Sequence, residues 1–456
     1  MLISFKVSNF KAILKPICFS METDPEDNSL KENLTGLGED FDEKINLLSV
    51  IMGPNGSGKS SFIDALKFVR DVALRRDVVS IPRNKLASPK TPSIFEVQFS
   101  TAFSKQRNTP QKYVLKIAPD GSACETIFQL AKSKWEKLDQ IVFFKREDIN
   151  KAEKNFLNID WVKEHERFDE FSVFTNKFSL SVNFFQNLVF FNSIENETES
   201  NFNLYMSSET ISKINELDPN LRCLTRIDLN KTQNDFKKIL ISLLNAFGVN
   251  VKNLGFKVLA TDRICTYIPT LQAYVSPSLY ASLKEKEKYR PVETKENSKD
   301  FMTVNIFYLK ELKYKGYSVP VVEESSGTKR LVKLAFTLAQ WLHPLFESVL
   351  VIDELDAGLH ETLPSEIIKQ FIQINRGSSQ LIAITHSTAL LRDGLLRKDE
   401  IWFSEMKEDR TTSLYSLADL KNVKSSEDFA ENYLCGKYGA LPLKKEWLFK
   451  EETDNE

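Results

Sequence analysis

The segment Gly53-Pro54-Asn55-Gly56-Ser57-Gly58-Lys59-Ser60 constrains this chain more than any other, because it fills every fixed position of the pattern G-x-x-x-x-G-K-[ST]. Such a loop has to run between a buried strand and the N-terminus of a helix, where backbone N–H groups and the helix dipole converge on one anion. The flanks agree with that demand. Ile45 to Met52 is mostly apolar with β-branched residues and predicts a buried strand. Behind the loop, Ser61 to Arg70 places Phe62, Ala65, Leu66 and Val69 on one stripe and predicts a helix. The expected ligand is a nucleoside triphosphate, with Lys59 at the β/γ oxygens, the Ser60 hydroxyl on Mg²⁺ and Ser61 as the next residue of the binding set.

Length and charge bound what surrounds this loop. At 456 residues the chain has room for two to three domains. Its 61 basic and 63 acidic side chains leave a net charge of -2, so no global field points to nucleic acid or an anionic membrane. Cys18, Cys124, Cys223, Cys265 and Cys435 show neither metal spacing nor a disulfide framework. With no apolar run near the roughly 20 residues that span a bilayer, the expectation is a soluble, cytoplasmic chain with no membrane contact.

Organisation follows from pattern changes along the chain. Leu2 to Lys11 has strand character with Ile17 to Met21 as a hairpin partner, and the acidic stretch Glu22 to Glu43 reads as a loop or mobile insertion. Ser93 to Phe99, Tyr113 to Ile117 and Ile141 to Phe144 predict an antiparallel sheet beside the nucleotide site. From about Asn150 the composition shifts to Phe, Asn, Lys and Glu, with helical candidates at Thr232 to Phe247 and Leu279 to Glu287. Core-like alternation resumes near Phe307. The expected domains are an N-terminal half of a nucleotide-binding head (1–150), an inserted, mainly helical lobe for partner contacts (151–304) and a C-terminal half (305–456).

Three further motifs complete a nucleotide site. Ser348 to Glu354 is an apolar strand ending in two carboxylates, Asp353 placed to reach the Mg²⁺ and Glu354 to polarise an attacking water. Glu323 to Arg330 opens a periodic helix whose Ser326 and Gly327 offer backbone N–H groups to an anion, although the same residues also suit a plain N-cap. Leu381 to Ser387 is another apolar strand with polar residues at its tip, and His386 there suits contact with a γ-phosphate or its water.

The order of phosphate loop, Ser-Ser-Gly helix, Asp-Glu strand and Thr-His-Ser strand resembles the ATPase head of ABC-type proteins of the SMC, RecF and OLD kind. Within that class, the opening Leu2 to Lys11, Glu324 to Thr328, Asp353-Glu354-Leu355-Asp356-Ala357-Gly358-Leu359-His360 and the tail Tyr433 to Ala440 resemble the RloA/AbiLi-like bacterial ATPases of abortive-infection and other anti-phage systems. The match covers residues 1 to about 75 and about 305 to 445.

The resemblance implies an α/β fold: a mixed-sheet core with an antiparallel β subdomain and an inserted, mainly helical lobe. It also implies ATP and Mg²⁺ as cofactors and slow ATP hydrolysis. Lys59, Ser60, Asp353, Glu354 and His386 of one subunit would bind Mg-ATP while Ser326 and Gly327 of another cap the γ-phosphate. Homodimerisation, or a higher oligomer, follows, with a separate effector such as a nuclease or toxin and a phage-derived trigger as partners. Thr328 stands where transporter signatures carry a second glycine, His360 lies near where they carry an aspartate, and Gln98 is the one candidate for a metal-linked glutamine. A RecF- or SMC-like DNA-repair ATPase is the alternative; it calls for a basic stripe, and Lys284, Lys286, Lys288 and Arg290 are interrupted by Glu285 and Glu287. A self-contained nuclease is disfavoured, since only 70 residues follow His386.

Overall fold

The computed structural model describes residues 1–38, 41–74, 82–103, 106–107, 109–131, 134–143, 184–185, 187–192, 229–259, 266–268, 273–275, 301–308, 317–320, 324–341, 348–375 and 379–442. At its centre lies β5 (Leu48–Met52), five residues that are all buried, as expected of a strand covered on both faces. Around it the core sheet runs β12 (Leu188–Asn192), β18 (Val349–Asp353), β19 (Gln380–Ile384), β5, β20 (Ile401–Met406) and β21 (Thr412–Ser416). All neighbours are parallel except β20 and β21. A second, antiparallel sheet runs β11 (Lys134–Phe143), β10 (Ala123–Ala131), β9 (Gln111–Ile117), β6 (Ser93–Phe99), β1 (Leu2–Ser8) and β2 (Ile17–Ser20). The α/β class, with a mixed core sheet and an antiparallel subdomain, is therefore the observed one. Strand β11 begins seven residues before the apolar run at Ile141 that announced it.

Helix α1 (Lys59–Ala73) lies between the two sheets. Its Phe62, Ala65, Leu66 and Val69 are buried against Phe5, Phe95 and Val97 of the antiparallel sheet and Ile51, Val351 and Ile382 of the core sheet. Each large apolar side chain buried this way contributes about 1.5–3 kcal/mol, so the helix is anchored from both sides. The opposite face of the core sheet, with Val50, Met52, Ile352 and Phe403, is covered by α2 (Leu229–Ala246), α3 (Ser326–Trp341), α4 (Leu363–Ile374), α5 (Ala389–Arg392) and α6 (Phe429–Leu434).

Several expectations differ from what forms. The acidic stretch from Glu22 is no simple loop: β3 (Leu34–Gly38) and β4 (Phe41–Asn46) pair as a hairpin. Its sparse apolar residues Leu37 and Ile45 close a small core with Met1, Ile3 and Leu47. The run Ile45 to Met52 is two strands, because the chain passes at Leu47 from that hairpin into the core sheet. Buried Gln380 clamps the crossing: its Nε2 donates to Leu2 O (2.9 Å) and Asn46 O (3.0 Å), and its Oε1 accepts from Leu2 N (2.6 Å).

Residues 188–192, inside the span taken for the insert, form edge strand β12 of the nucleotide-side sheet, where Lys67 and Arg70 of α1 lie over the Phe190 ring. Among the described residues of 151–304, only α2 is a long helix, and it matches the candidate at Thr232 to Phe247 to within three residues. Strands β13 (Asn253–Leu259), β14 (Thr266–Ile268) and β15 (Ala273–Val275) accompany it. Strand β16 (Phe301–Tyr308) pairs with β13 and, on its other side, with β17 (Tyr317–Pro320), and β7 (Ala102–Phe103) with β8 (Gln106–Arg107) completes the strands. The helical candidate at Leu279 to Glu287 and the run Lys284 to Arg290 lie outside the described residues.

A buried ion pair ties the N-terminal loop to β20. The Arg397 side chain is fully covered and grips Asp399 with Nε (3.0 Å) and Nη2 (2.8 Å), while Nη1 donates to Ser29 O (2.5 Å). Removing one partner of such a pair strands the other charge, at a cost of about 3–5 kcal/mol. Arg397→Ala is expected to lower the chemical-denaturation midpoint accordingly, and a midpoint matching the parent protein would show that the pair is dispensable.

Candidate functional site

The strand register brings the sequence motifs to one edge. Ile352 faces Ala383, Ala383 faces Val50, and Met52 faces Phe403, so the C-terminal tips of β18, β19, β5 and β20 end side by side. In parallel sheets that edge is where ligands bind. A cavity of about 210 Å³ opens there, lined by Asn55, Gly56, Ser57, Gly58, Lys59, Ser60 and Ser61 of the loop, by Asp353, Glu354 and His386 of the neighbouring tips, and by Ala12 and Ile384.

The loop is shaped by what lies behind it. Gly53, Gly56 and Gly58 have φ of +147°, +77° and +102°, a region that side chains disfavour. Two of them also face close neighbours. A Cβ on Gly53 would stand 2.2 Å from Ser404 O, and one on Gly58 would stand 2.0 Å from Thr412 Oγ1. The Ser404 hydroxyl donates to Ser57 O at 3.0 Å, so β20 and β21 form a floor under the phosphate loop. Gly58→Ala is expected to remove nucleotide binding and to cost about 1–3 kcal/mol of stability from backbone strain alone. Nucleotide titration and thermal melting check both, and wild-type affinity in that variant would show that the floor tolerates a side chain.

Lys59 is buried at 7 % exposure and donates from Nζ to Gly53 O and Pro54 O, both at 2.8 Å. Burial holds its ammonium below the ordinary lysine range, against the opposing pull of Asp353, Asp356 and Glu354. Asp353 is shifted the other way: burial raises its carboxyl, the Glu354 charge adds to that, and Lys67 opposes it. Two adjacent carboxylates, one of them held in a protonation-favouring setting, beside the Ser60 hydroxyl form a donor set that a hard divalent cation satisfies. Ser60 and Asp353 therefore fit Mg²⁺, and the cradle fits the phosphates it would accompany.

Glu354 sits at φ +52°, uncommon for a side-chain-bearing residue. Its surroundings over-determine that conformation. Arg330, one turn into α3, donates from Nη2 to Glu354 O and from Nη1 to Ala357 O. Leu355 N donates to Ile384 O at 2.7 Å. Asp356 Oδ1 accepts from the Thr385 hydroxyl (2.7 Å) and from His386 N (3.1 Å), locking the Asp-Glu turn to the Thr-His turn. A strained residue fixed from three sides at a cavity is the mark of a functional position.

Ser326 and Gly327 are not among the residues lining this cavity. Ser326 is solvent-exposed, and the Cα of Gly327 faces Gly358 O, where an added Cβ would come to 3.3 Å. Gly53 and Pro54 contribute through the carbonyls that hold Lys59. His360 pairs with Thr362 Oγ1 (3.0 Å) and Gln98 donates to Glu96 (3.2 Å); neither lines the cavity.

Sequence reasoning missed Arg330, Asp356, Ser404, Thr412 and Ala12. Asp356 carried a local signal, an acid two positions past Glu354. Ser404 and Thr412 had none, since they reach the loop from about 350 residues away. Among the described residues no cluster of three or more His, Cys, Asp or Glu could hold a metal, and no helix is long and apolar enough to cross a membrane.

A family model described as "AAA domain, putative AbiEii toxin, Type IV TA system" matches residues 48–392. No curated protein matches the chain. Among solved structures, the chain is similar to an SMC head bound to the C-terminal winged-helix domain of ScpA, with 14% identity, 91% of this chain and 97% of that chain covered, and a TM-score of 0.44. It is also similar to the SMC head domain from Thermotoga maritima, with 14% identity, 91% and 98% coverage, and a TM-score of 0.38. A third likeness is to an Smc head with an extended coiled coil bound to the C-terminal domain of ScpA, derived from Pyrococcus furiosus, with 12% identity, 91% and 96% coverage, and a TM-score of 0.42.

Proposed function

Because the chain belongs to the AAA-domain family whose model spans residues 48–392, we propose that it is an ATP-driven molecular switch. One subunit binds Mg-ATP through the loop Gly53 to Ser61, with Lys59 on the phosphate oxygens and Ser60 and Asp353 on the cation. Mg²⁺ supplies charge neutralisation for the leaving phosphates when bound. Glu354 accepts a proton from the attacking water and His386 contacts the γ-phosphate. A second copy of the chain completes the site with Ser326 and Gly327, and hydrolysis releases the pair.

The observation that carries this reading is the placement of Ser326: solvent-exposed on the signature helix and outside the cavity that its own phosphate loop lines. A complementation experiment tests it. Lys59→Ala and Ser326→Arg copies are each expected to be inactive, and mixing them is expected to restore hydrolysis at the one site built from an intact loop and an intact signature. A mixture as inactive as its components would refute the shared site.

For the cellular role, the family description names a toxin and a toxin–antitoxin system. With the RloA/AbiLi-like motif order, this supports a cytoplasmic sensor of phage infection that gates a separate effector, such as a nuclease or toxin. Loss of plaque protection in a Lys59→Ala strain tests that role; protection that survives the substitution would sink it.

A further inference from the structure

A second cavity, about 350 Å³, opens beside the phosphate cradle and shares Ala12 with it. Its remaining walls include Lys11, Arg83, Lys85, Leu86 and Arg410. The partition between the two spaces is the turn from Asn9 to Ile13, and this turn is strained: Asn9 and Lys11 stand at φ +54° and +45°. The surrounding bonds impose it. Lys11 N donates to Pro82 O (2.8 Å), Asn84 Nδ2 to Lys11 O (2.6 Å) and Ser93 Oγ to Asn9 O (2.7 Å), while Phe10 is sealed in the core. Strain held in place by so many partners clusters at ligand clamps. Thr412, which floors Gly58, also donates from its backbone N to Ala12 O (3.2 Å), so the partition and the phosphate loop share one support.

The cradle is lined by phosphate-end chemistry, with backbone amides, a lysine, serines and two carboxylates. A nucleotide whose phosphates sat there would have the adjoining space within reach of its ribose and base past Ala12, the residue that lines both cavities. The side chains waiting there are unusual for an adenine site. Among the described residues, four cations and no carboxylate line the cavity. The neutral amide of Asn84 is already engaged, with Nδ2 on Lys11 O and Oδ1 accepting from Leu86 N (2.8 Å). Lys11 pairs with Asp64 and Arg83 donates to Thr91 O (2.6 Å), whereas Lys85 and Arg410 have no ion-pair partner among the described residues. Donor-only side chains favour a base edge made of acceptors. Guanine presents O6 and N7, both acceptors, while adenine replaces the first with the N6 donor.

We propose that this cavity is the base subsite of the same nucleotide and that it accepts guanine at least as well as adenine, making GTP a second substrate. The proposal rests on the phosphate-loop reading above. Calorimetric titration of the full chain with ATP, GTP and inorganic tripolyphosphate, each with Mg²⁺, tests it. GTP is expected to bind no more weakly than ATP and more tightly than tripolyphosphate. Lys85→Ala and Arg410→Gly, glycine because φ there is +58°, are expected to weaken GTP relative to ATP by about tenfold, the low end of one bidentate base contact, without changing tripolyphosphate affinity. ATP binding ten times tighter than GTP overturns the proposal, as does a GTP-to-ATP ratio unmoved in both variants. If tripolyphosphate and both nucleotides all fail to bind, the phosphate-loop reading falls and this inference falls with it. If tripolyphosphate binds but ATP outcompetes GTP, only the base preference falls.

Discussion

Replacing Lys59 by methionine is expected to weaken ATP binding by at least about 100-fold while leaving the nucleotide-free protein as stable as the parent. The two halves have separate causes. A lysine ammonium bonded to phosphate oxygens is a charge-assisted donor, and losing such contacts costs about 3 kcal/mol, or roughly two decades in affinity. In the nucleotide-free chain the same ammonium is a burden, because burial holds its pKa below the unfolded value and the Gly53 and Pro54 carbonyls only partly repay its lost hydration. A lysine whose folded pKa is depressed gives up its proton more readily folded than unfolded. Stability therefore rises as pH climbs between the folded and unfolded values, and the cost is fully present below the folded one. Methionine keeps most of the volume without the charge. Thermal melts with and without Mg-ATP check both halves: the variant should melt no lower than the parent alone and lose the upward shift that ligand gives the parent. A ligand shift retained in Lys59→Met would refute the assignment of this lysine.

The second large effect is expected at Glu354. Glu354→Gln preserves the size of the side chain and the backbone carbonyl that Arg330 holds, so the strained turn at φ +52° stays in place. What it removes is the capacity to accept a proton from water, and general-base losses are typically about 100- to 10,000-fold in turnover. ATP should still bind. With hydrolysis blocked, the joint between two subunits should persist, and light scattering with Mg-ATP should report a stable dimer where the parent exchanges. Turnover within a few-fold of the parent would remove Glu354 from the mechanism, and a monomeric mass with ATP bound would count against the shared site.

Arg330 links the helix that starts at Ser326 to the Glu354 turn. It belongs to α3, the helix that begins with Ser326, and both of its Nη groups end on carbonyls of the Asp353 to Gly358 turn. A pull on the signature by a neighbouring copy would thus reach the receiving chain's own Glu354 through one side chain. That coupling is invisible in the sequence, where Arg330 reads as one more charge on a helix surface.

The boundary between what was legible and what was not follows the range of the interactions involved. The phosphate loop, its helix, the Asp-Glu and Thr-His strand ends and the Ser326 helix start are local devices: each is a short run whose apolar period and terminal residues decide its own shape. The structure accordingly puts α1 at Lys59–Ala73 and ends β18 at Asp353, where the pattern turns polar. The acidic stretch after Met21 misled because composition outweighs spacing in a segment with few apolar residues, and the hairpin there depends on Met1 and Ile3, which no local rule supplies.

By itself, then, the sequence determined which chemistry the chain presents: a phosphate cradle, a pair of adjacent carboxylates and a histidine, each on the tip of a strand whose burial its own residues enforce. Only the tertiary structure decided how those tips are held. Parallel pairing of β18, β19, β5 and β20 set them side by side, Ser404 and Thr412 formed the floor that makes Gly53 and Gly58 irreplaceable, and Arg330 fixed Glu354 in a conformation it would not adopt alone. The reason is that strand pairing and close backbone approach are contacts between residues hundreds of positions apart, and their energy appears only once the chain has closed around them.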